Sequence, residues 1–169
     1  LLERLEDIRS LDTSVLEDFH KVALDAGITI GTAESCTGGL VGKTLTDLGG
    51  SSGYYQGGII SYANSVKERV LGVSSDTLAT HGAVSEETAT EMVEGVFRVL
   101  RTDYAIATTG IAGPGGGSQE KPVGLVYIGI GTPRGITVYK EIFIGDRDSI
   151  RKSVAERAIQ YVYKELIER

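Results

Sequence analysis

Hydrophobic residues recur along the chain with two spacings, one typical of helices and one typical of strands. The helical spacing, about 3.6 residues per turn, predicts amphipathic helices, at residues 15–26, 40–48, 85–100 and 148–168. Residues 1–11 are predicted as a further short helix or an exposed lead-in. The last predicted helix carries apolar residues along one face, which indicates that this face packs against a core; they are Ile150, Val154, Ala158, Val162 and Leu166.

Five shorter segments are rich in β-branched or aromatic residues and are bounded by Gly, Pro or Asp. They are predicted strands, at residues 28–33, 57–62, 104–109, 123–130 and 136–144. The last two are separated by residues 131–135, a length that suits an antiparallel hairpin. The earlier strands alternate with helical patterns, which favours parallel pairing. The prediction is a three-layer α/β/α sandwich around a mixed five-stranded sheet, with one domain at 13–169 after a lead-in at 1–12.

The amino-acid composition excludes several classes of binding partner and site. Among 169 residues there are 23 glycines, about twice the usual share, and their clustering indicates tight turns or close approach to a ligand. The net charge of −6 argues against a nucleic-acid partner but allows a small anionic ligand. A single cysteine excludes an internal disulfide and a four-cysteine metal site. No apolar run approaches the roughly 20 residues of a membrane span, so we expect a cytoplasmic protein without a membrane partner.

Three polar loops follow the predicted parallel strands, at residues 32–39, 61–67 and 108–118. Because such strands end at one edge of the sheet, these loops are expected to share a rim, where ligands of α/β proteins bind. The loop at 108–118 holds Pro114 among several glycines. It either donates N–H groups to a phosphate or an oxyanion, or is a surface excursion.

Side chains in these loops suggest a nucleophile and a base. Ser35 is either a helix N-cap or a reactive hydroxyl near an anion-binding helix start, and Cys36 is interpreted as a small buried hydrophobe. Lys67 is either a surface lysine or a partly buried one that accepts the serine proton. His20 and His81 show no partner pattern for a triad or a metal site.

Arg147 opens the last predicted helix, in the segment Gly-Asp-Arg-Asp. A guanidinium there can hold a phosphate through two parallel hydrogen bonds. It can equally pair with the flanking Asp146 and Asp148. The residues alone leave both interpretations open.

Six segments together resemble the CinA C-terminal domain family, the nicotinamide-mononucleotide deamidase family. They occur in the family's order at residues 33–39, 49–52, 61–64 with Lys67, 81–85, 109–114 and 121–124. The resemblance runs from about residue 16 to the C-terminus. Each segment alone is weak, whereas six in one order are specific.

The resemblance implies hydrolysis of nicotinamide mononucleotide to nicotinate mononucleotide and ammonia, in pyridine-nucleotide recycling. It implies Ser35 as nucleophile and Lys67 as base, with no metal or cofactor. We also expect a homo-oligomer. The implied substrate-binding residues are Thr37, Gly38, Gly39, Ser52, Tyr62, Asn64, Thr109, Gly110 and Arg147. Full-length members carry an additional N-terminal nucleotide-hydrolysing domain. The alternative is a catalytically silent nucleotide-binding or regulatory module of the same family.

Overall fold

A computed structural model of the protein describes residues 13–168. The predicted element at residues 1–11 lies outside this range. Six helices and five strands follow one another along the described chain. In chain order they are α1 (Thr13–Ala26), β1 (Ile30–Glu34), α2 (Leu40–Leu45), a 3₁₀ turn (Ser51–Gly53), β2 (Tyr55–Ile60), α3 (Asn64–Arg69), α4 (Ser75–His81), α5 (Glu86–Leu100), β3 (Tyr104–Gly110), β4 (Leu125–Thr132), β5 (Gly135–Ile142) and α6 (Arg147–Ile167).

The five strands form one sheet in the order β2-β1-β3-β4-β5. The central strand β1 pairs in parallel with β2 on one side and with β3 on the other. The pairs β3–β4 and β4–β5 are antiparallel. The predicted mixed sheet is therefore confirmed, including the parallel pairing of the early strands.

Helices cover both faces of this sheet. On one face α1 and α6 place Phe19 and Val154 in a shared core with the strands. On the other face Met92 and Val96 of α5 pack with Leu71 and the small residues of β1 and β3. Every residue of β1 is buried, as expected for a parallel strand covered on both sides. The α/β/α fold class is confirmed. None of the described helices is long and apolar enough to cross a membrane.

The predicted hairpin loop at residues 131–135 is wrong in length. The strand β4 continues to Thr132 and β5 begins at Gly135, so only two residues lie between the strands. Gly131 is the next-to-last residue of β4, and α5 packs closely over it. A Cβ atom there would lie 2.5 Å from Phe97 and 2.5 Å from Val93. This glycine leaves room for a helix and does not mark a turn.

Other predicted boundaries shift by a few residues. The strand β1 spans residues 30–34 where 28–33 was expected, and β2 spans 55–60 where 57–62 was expected. The helix α2 ends at Leu45, three residues early. The helices α3 and α4 were not delimited, because segments of six and seven residues carry too little periodicity. The shift of β2 matters for the site, since Ser61 and Tyr62 belong to the loop after it.

Gly95 gives a test of the packing between α5 and the chain beneath it. A Cβ atom at this position would overlap the backbone of Leu71, including its carbonyl oxygen. Alanine normally stabilises a helix relative to glycine by about 1 kcal/mol. Here we expect Gly95→Ala to lower the free energy of unfolding in urea by about 1–3 kcal/mol, because the backbones must separate. The exposed neighbour supplies the control, with Glu94→Ala close to wild type; a Gly95→Ala protein as stable as wild type would contradict this packing.

Candidate active site

A pocket lies beyond the carboxyl ends of the parallel strands, where the sheet continues from β1 to β2 on one side and to β3 on the other. Ligand sites of open α/β sheets occur at such switch points. The pocket encloses about 200 Å³. Its lining combines residues from all three predicted loops with two residues before α5 and one at the start of α6: Ser35, Cys36, Tyr62, Asn64, Lys67, Ala83, Val84, Thr109, Gly110, Ala112 and Arg147.

Ser35 is positioned by the strand that precedes it. Its N–H donates to the carbonyl of Thr108 on the neighbouring strand at 3.0 Å, which extends the β1–β3 pairing by one residue. The chain then turns sharply, and the Gly38 N–H donates back to the Ser35 carbonyl at 3.1 Å. The Ser35 side chain lines the pocket although the residue is only 8% exposed. Strand pairing and a closed turn thus hold this hydroxyl in place.

Lys67 reaches the same point from α3. Its Nζ lies 3.1 Å from the Ser35 Oγ and donates to the Tyr62 carbonyl at 3.0 Å. The lysine is only 1% exposed, and no carboxylate within residues 13–168 forms an ion pair with it. Burial lowers the pKa of Lys67 because the charged ammonium loses hydration. In its neutral form, an amine at this distance is able to accept a proton from the serine hydroxyl.

Cys36 is a poor competitor for the role of nucleophile. Burial raises the pKa of its thiol to about 12, so the reactive thiolate is scarce at neutral pH. The residue is 6% exposed and belongs to the hydrophobic core.

Glu34 was missed as a structural residue of the site. Its carboxylate is 2% exposed and accepts the N–H groups of Val41 at 2.8 Å and Gly42 at 3.1 Å. It also accepts the Thr37 hydroxyl at 2.6 Å. The N–H groups of Val41 and Gly42 at the start of α2 are therefore bound by the chain's own carboxylate, so they are not available to the predicted anion site. The available signal was an acidic residue at the end of an apolar strand, directly before the turn.

Arg147 is the first residue of α6 and is exposed at the pocket. Its guanidinium donates to the Gly113 carbonyl at 2.7 Å and to the Tyr62 hydroxyl at 3.3 Å. Within the described residues it forms no ion pair with Asp146 or Asp148. Of the two interpretations, pairing with its neighbours is wrong, and its charge remains available to a ligand.

The two neighbouring aspartates have other partners. The Asp146 side chain caps α6 by accepting the Ser149 N–H at 2.8 Å. Asp148 pairs with Lys152 at 2.9 Å on the helix surface. The basic side chains of the described pocket lining are therefore Lys67 inside and Arg147 at the exposed side, and that lining contains no carboxylate. Its charge suits an anionic ligand.

The chain is similar to proteins of one known family. A family model, the CinA C-terminal domain, matches residues 12–166. The chain belongs to the CinA C-terminal domain family. It is 50% identical over 168 residues to a CinA-like protein of Leptospira borgpetersenii serovar Hardjo-bovis (strain L550), covering 94% of this chain and 40% of that protein. It spans about 40% of the length of several such curated relatives.

Two further CinA-family likenesses involve proteins of similar length. One is a protein of Escherichia coli (strain K12) named nicotinamide-nucleotide amidohydrolase PncC, 46% identical over 143 residues, with 84% of this chain and 87% of that protein covered. The other is the crystal structure of the competence/damage inducible protein CihA from Agrobacterium tumefaciens, 38% identical, with a TM-score of 0.85. That likeness covers 94% of this chain and 99% of that chain.

The pocket brings together most of the residues predicted for this CinA-family site. Its lining contains the predicted residues Ser35, Lys67, Tyr62, Asn64, Thr109, Gly110 and Arg147. Their contact with substrate stays a prediction. Thr109 already donates its hydroxyl to the Ala83 carbonyl at 2.7 Å, which ties the segment before α5 to the end of β3.

Four predicted substrate-binding residues lie outside the pocket lining: Thr37, Gly38, Gly39 and Ser52. The Thr37 hydroxyl is fully buried against Glu34. Gly38 and Gly39 have positive φ angles of 60° and 111°, so they form the turn that leads into α2. Ser52 is exposed on the 3₁₀ turn. All four residues belong to turns of the CinA fold, and none of them is part of the pocket lining.

Ala83 and Val84 were not predicted and supply an apolar wall of the pocket. They precede Ser85, whose hydroxyl caps α5 by accepting the Thr88 N–H at 3.2 Å. The segment at 81–85 was part of the family resemblance, which was the available signal. Neither His20 nor His81 lines the pocket, and within residues 13–168 no cluster of three His, Cys, Asp or Glu side chains could hold a metal ion.

Proposed function

We propose that this chain hydrolyses the carboxamide of nicotinamide mononucleotide to nicotinate mononucleotide and ammonia. The observation that carries the proposal is the 3.1 Å contact between the Ser35 Oγ and the Nζ of a buried lysine without an acidic partner among the described residues. The name of the Escherichia coli relative, a nicotinamide-nucleotide amidohydrolase, supports the choice of substrate. The reaction belongs to pyridine-nucleotide recycling in the cytoplasm.

Acylation begins with proton transfer. Neutral Lys67 accepts the hydroxyl proton of Ser35 while the Oγ forms a bond to the carboxamide carbon. The carbonyl oxygen becomes an oxyanion, which backbone N–H groups of the turn after Ser35 stabilise. One well-placed donor of this kind contributes about 2.7–4 kcal/mol to the transition state. The step needs Lys67 in its neutral form, and burial shifts the pKa of this amine in that direction.

Breakdown of the tetrahedral intermediate releases ammonia. The carbon–nitrogen bond breaks, and the leaving nitrogen takes the proton that Lys67 had accepted. This step leaves an ester on Ser35 and a neutral lysine. Water then attacks the ester while Lys67 takes its proton, and the proton returns to the Ser35 oxygen as nicotinate mononucleotide departs. Lysine therefore serves as base and acid in both halves of the reaction.

Arg147 supports the assignment of a nucleotide over a free amide. Two of the helix starts near the pocket, those of α2 and α6, are bound by the chain's own carboxylates. The exposed guanidinium of Arg147 is the charged group that can hold a phosphate at the pocket mouth, while the amide end enters toward Ser35. The pocket volume of about 200 Å³ accommodates the ring end, with the phosphate outside.

The function is tested by measuring ammonia release from nicotinamide mononucleotide beside nicotinamide and glutamine. Nicotinamide mononucleotide is expected to be the preferred substrate, because it combines the amide with the anionic group that Arg147 binds. Equal rates per molar concentration with all three compounds would contradict the assignment of a nucleotide substrate. Release from glutamine alone would contradict the pyridine substrate as well.

Replacing Arg147 separates phosphate binding from chemistry. We expect Arg147→Gln to raise KM for nicotinamide mononucleotide about tenfold or more, because a charge-assisted bidentate contact is lost. The KM for nicotinamide riboside, which has no phosphate, should change little. The control is Lys152→Gln, an exposed cation further along α6. If Arg147→Gln raised both KM values equally, Arg147 would not be the phosphate ligand.

A further inference from the structure

Arg151 of α6 contacts the turn that follows Ser35. Its Nε donates to the Cys36 carbonyl at 3.0 Å, and a terminal nitrogen donates to the Thr37 carbonyl at 3.1 Å. The side chain is half-buried, and no carboxylate among residues 13–168 pairs with it. This guanidinium therefore binds two successive backbone carbonyls beside the nucleophile in place of an acidic partner.

The adjacent carbonyl of the turn is also bound. The Ser35 carbonyl accepts the Gly38 N–H at 3.1 Å, so the carbonyls of Ser35, Cys36 and Thr37 all have donors. In a trans peptide the N–H points opposite to the carbonyl of the same unit. The N–H groups of Cys36 and Thr37 therefore point away from those donors. In the described part of the chain neither of them donates to a backbone carbonyl.

Gly38 leaves room for this arrangement. Its φ angle is 60°, and a Cβ atom there would lie 3.1 Å from a terminal nitrogen of Arg151. A side chain at this position would press on the guanidinium and would strain the backbone. The glycine and the arginine therefore act together, one by closing the turn and the other by binding its carbonyls.

We propose that Arg151 is a positioning residue for the amide hydrolysis: its two hydrogen bonds hold the turn so that the N–H group of Cys36, a residue of the pocket lining, is aimed at the oxyanion formed when Ser35 attacks. The inference rests on the proposed function and adds a residue that touches neither substrate nor reacting atoms. An oxyanion exists only in the transition state and the intermediate. Loss of Arg151 therefore lowers kcat and leaves KM almost unchanged.

Two substitutions and a matched control test this role through ammonia release from nicotinamide mononucleotide. We expect Arg151→Met to lower kcat about 10²-fold with KM within about threefold of wild type. Arg151→Lys keeps the charge but loses the forked geometry, and it should recover part of the loss, with kcat about tenfold below wild type. The control is Arg157→Met on the same helix, which breaks an ion pair with Glu141 far from the turn and should keep wild-type kcat.

A second readout separates this inference from the choice of substrate. An alkyl fluorophosphonate labels a reactive serine: the Ser35 Oγ–phosphorus bond forms, fluoride leaves, and the serine proton passes to Lys67. The rate of labelling depends on the same oxyanion donors but on no nucleotide. If wild type is labelled at Ser35 yet releases no ammonia, the proposed substrate fails while the role of Arg151 is still measured by the labelling rate.

The outcomes are distinct. Slower labelling and lower kcat in Arg151→Met, with partial recovery in Arg151→Lys, support the positioning role. If Arg151→Met does not fold, the folded Arg151→Lys protein decides by its kcat and labelling rate. Wild-type kcat and labelling in either folded variant would overturn the inference. A change in KM alone would also overturn it, because it would place Arg151 in ground-state binding.

Discussion

Replacing Ser35 by alanine is expected to abolish ammonia release from nicotinamide mononucleotide, with kcat at least about 10³-fold below wild type. The reason is that the Oγ is the atom that Lys67 contacts at 3.1 Å, whereas the other hydroxyls of the described pocket lining have other contacts: that of Thr109 donates to Ala83, and that of Tyr62 accepts from Arg147. The substrate should still bind, because Arg147 is intact. Calorimetric titration with nicotinamide mononucleotide checks binding, and an ammonia assay checks turnover.

The neighbouring cysteine supplies the comparison for Ser35→Ala. Cys36→Ala removes the thiol next to Ser35, and the protein is expected to retain most of its rate because that thiol is buried and protonated at neutral pH. If Ser35→Ala kept substantial turnover while Cys36→Ala lost it, the nucleophile would be the cysteine. If both retained turnover, the covalent mechanism would be wrong.

Lys67→Met is expected to have the second largest effect. Methionine keeps the buried apolar stem but cannot accept a proton, so kcat/KM should fall about 10²–10⁴-fold at neutral pH. Circular dichroism and thermal unfolding check that the variant is folded. The exposed Lys43, whose side chain pairs with Asp47 on the surface, supplies the control, since Lys43→Met removes an amine without touching the pocket.

The pH profile of the wild-type enzyme gives an independent check on Lys67. The active form is the neutral amine, so kcat/KM should rise with pH until the pKa of Lys67 is passed, by about tenfold per unit below it. Because burial lowers the pKa of Lys67, this rise should end at a lower pH than for an exposed lysine. A profile that is flat through the neutral and mildly alkaline range, with an unchanged rate in Lys67→Met, would show that lysine is not the base.

The same lowered pKa affects stability. The unfolded chain binds a proton at Lys67 over a pH range where the folded chain does not, so wild-type stability should rise with pH through that range. Below the folded-state pKa the full cost of burying the ammonium is present. Lys67→Met lacks this cost, so at neutral pH it should be no less stable than wild type. Loss of activity without loss of stability is the signature of a catalytic role.

Much of the fold could be predicted because two rules act over long stretches of chain. Apolar spacing identified the long helices, and alternation of strands with helices implied the parallel pairs β1–β2 and β1–β3. The rule that parallel strands end at one edge then placed Ser35, Lys67 and Thr109 on a common rim, where the structure has its pocket. None of these predictions depended on knowing which side chains contact one another.

The residues that support the nucleophile could not be predicted in the same way. Glu34 and Arg151 both bind backbone groups. Every residue carries such groups, so the sequence does not show which of them a side chain will bind. Arg151 lies more than a hundred residues from the carbonyls it contacts, so its place depends on how α6 packs beside the turn. Gly131 shows a different problem. The sequence alone does not distinguish a glycine that makes room for a packed helix, as Gly131 does, from a glycine that forms a turn.

The most direct test of the account is the stoichiometry of products from nicotinamide mononucleotide. Purified chain is incubated with this compound at neutral pH, and ammonia and nicotinate mononucleotide are both quantified, with Ser35→Ala as the blank. The account predicts equal amounts of the two products from wild type and neither from the variant. If the folded wild-type protein binds the nucleotide but releases no ammonia above the blank, this chain is a silent nucleotide-binding member of the CinA family and the proposed amidase activity is wrong.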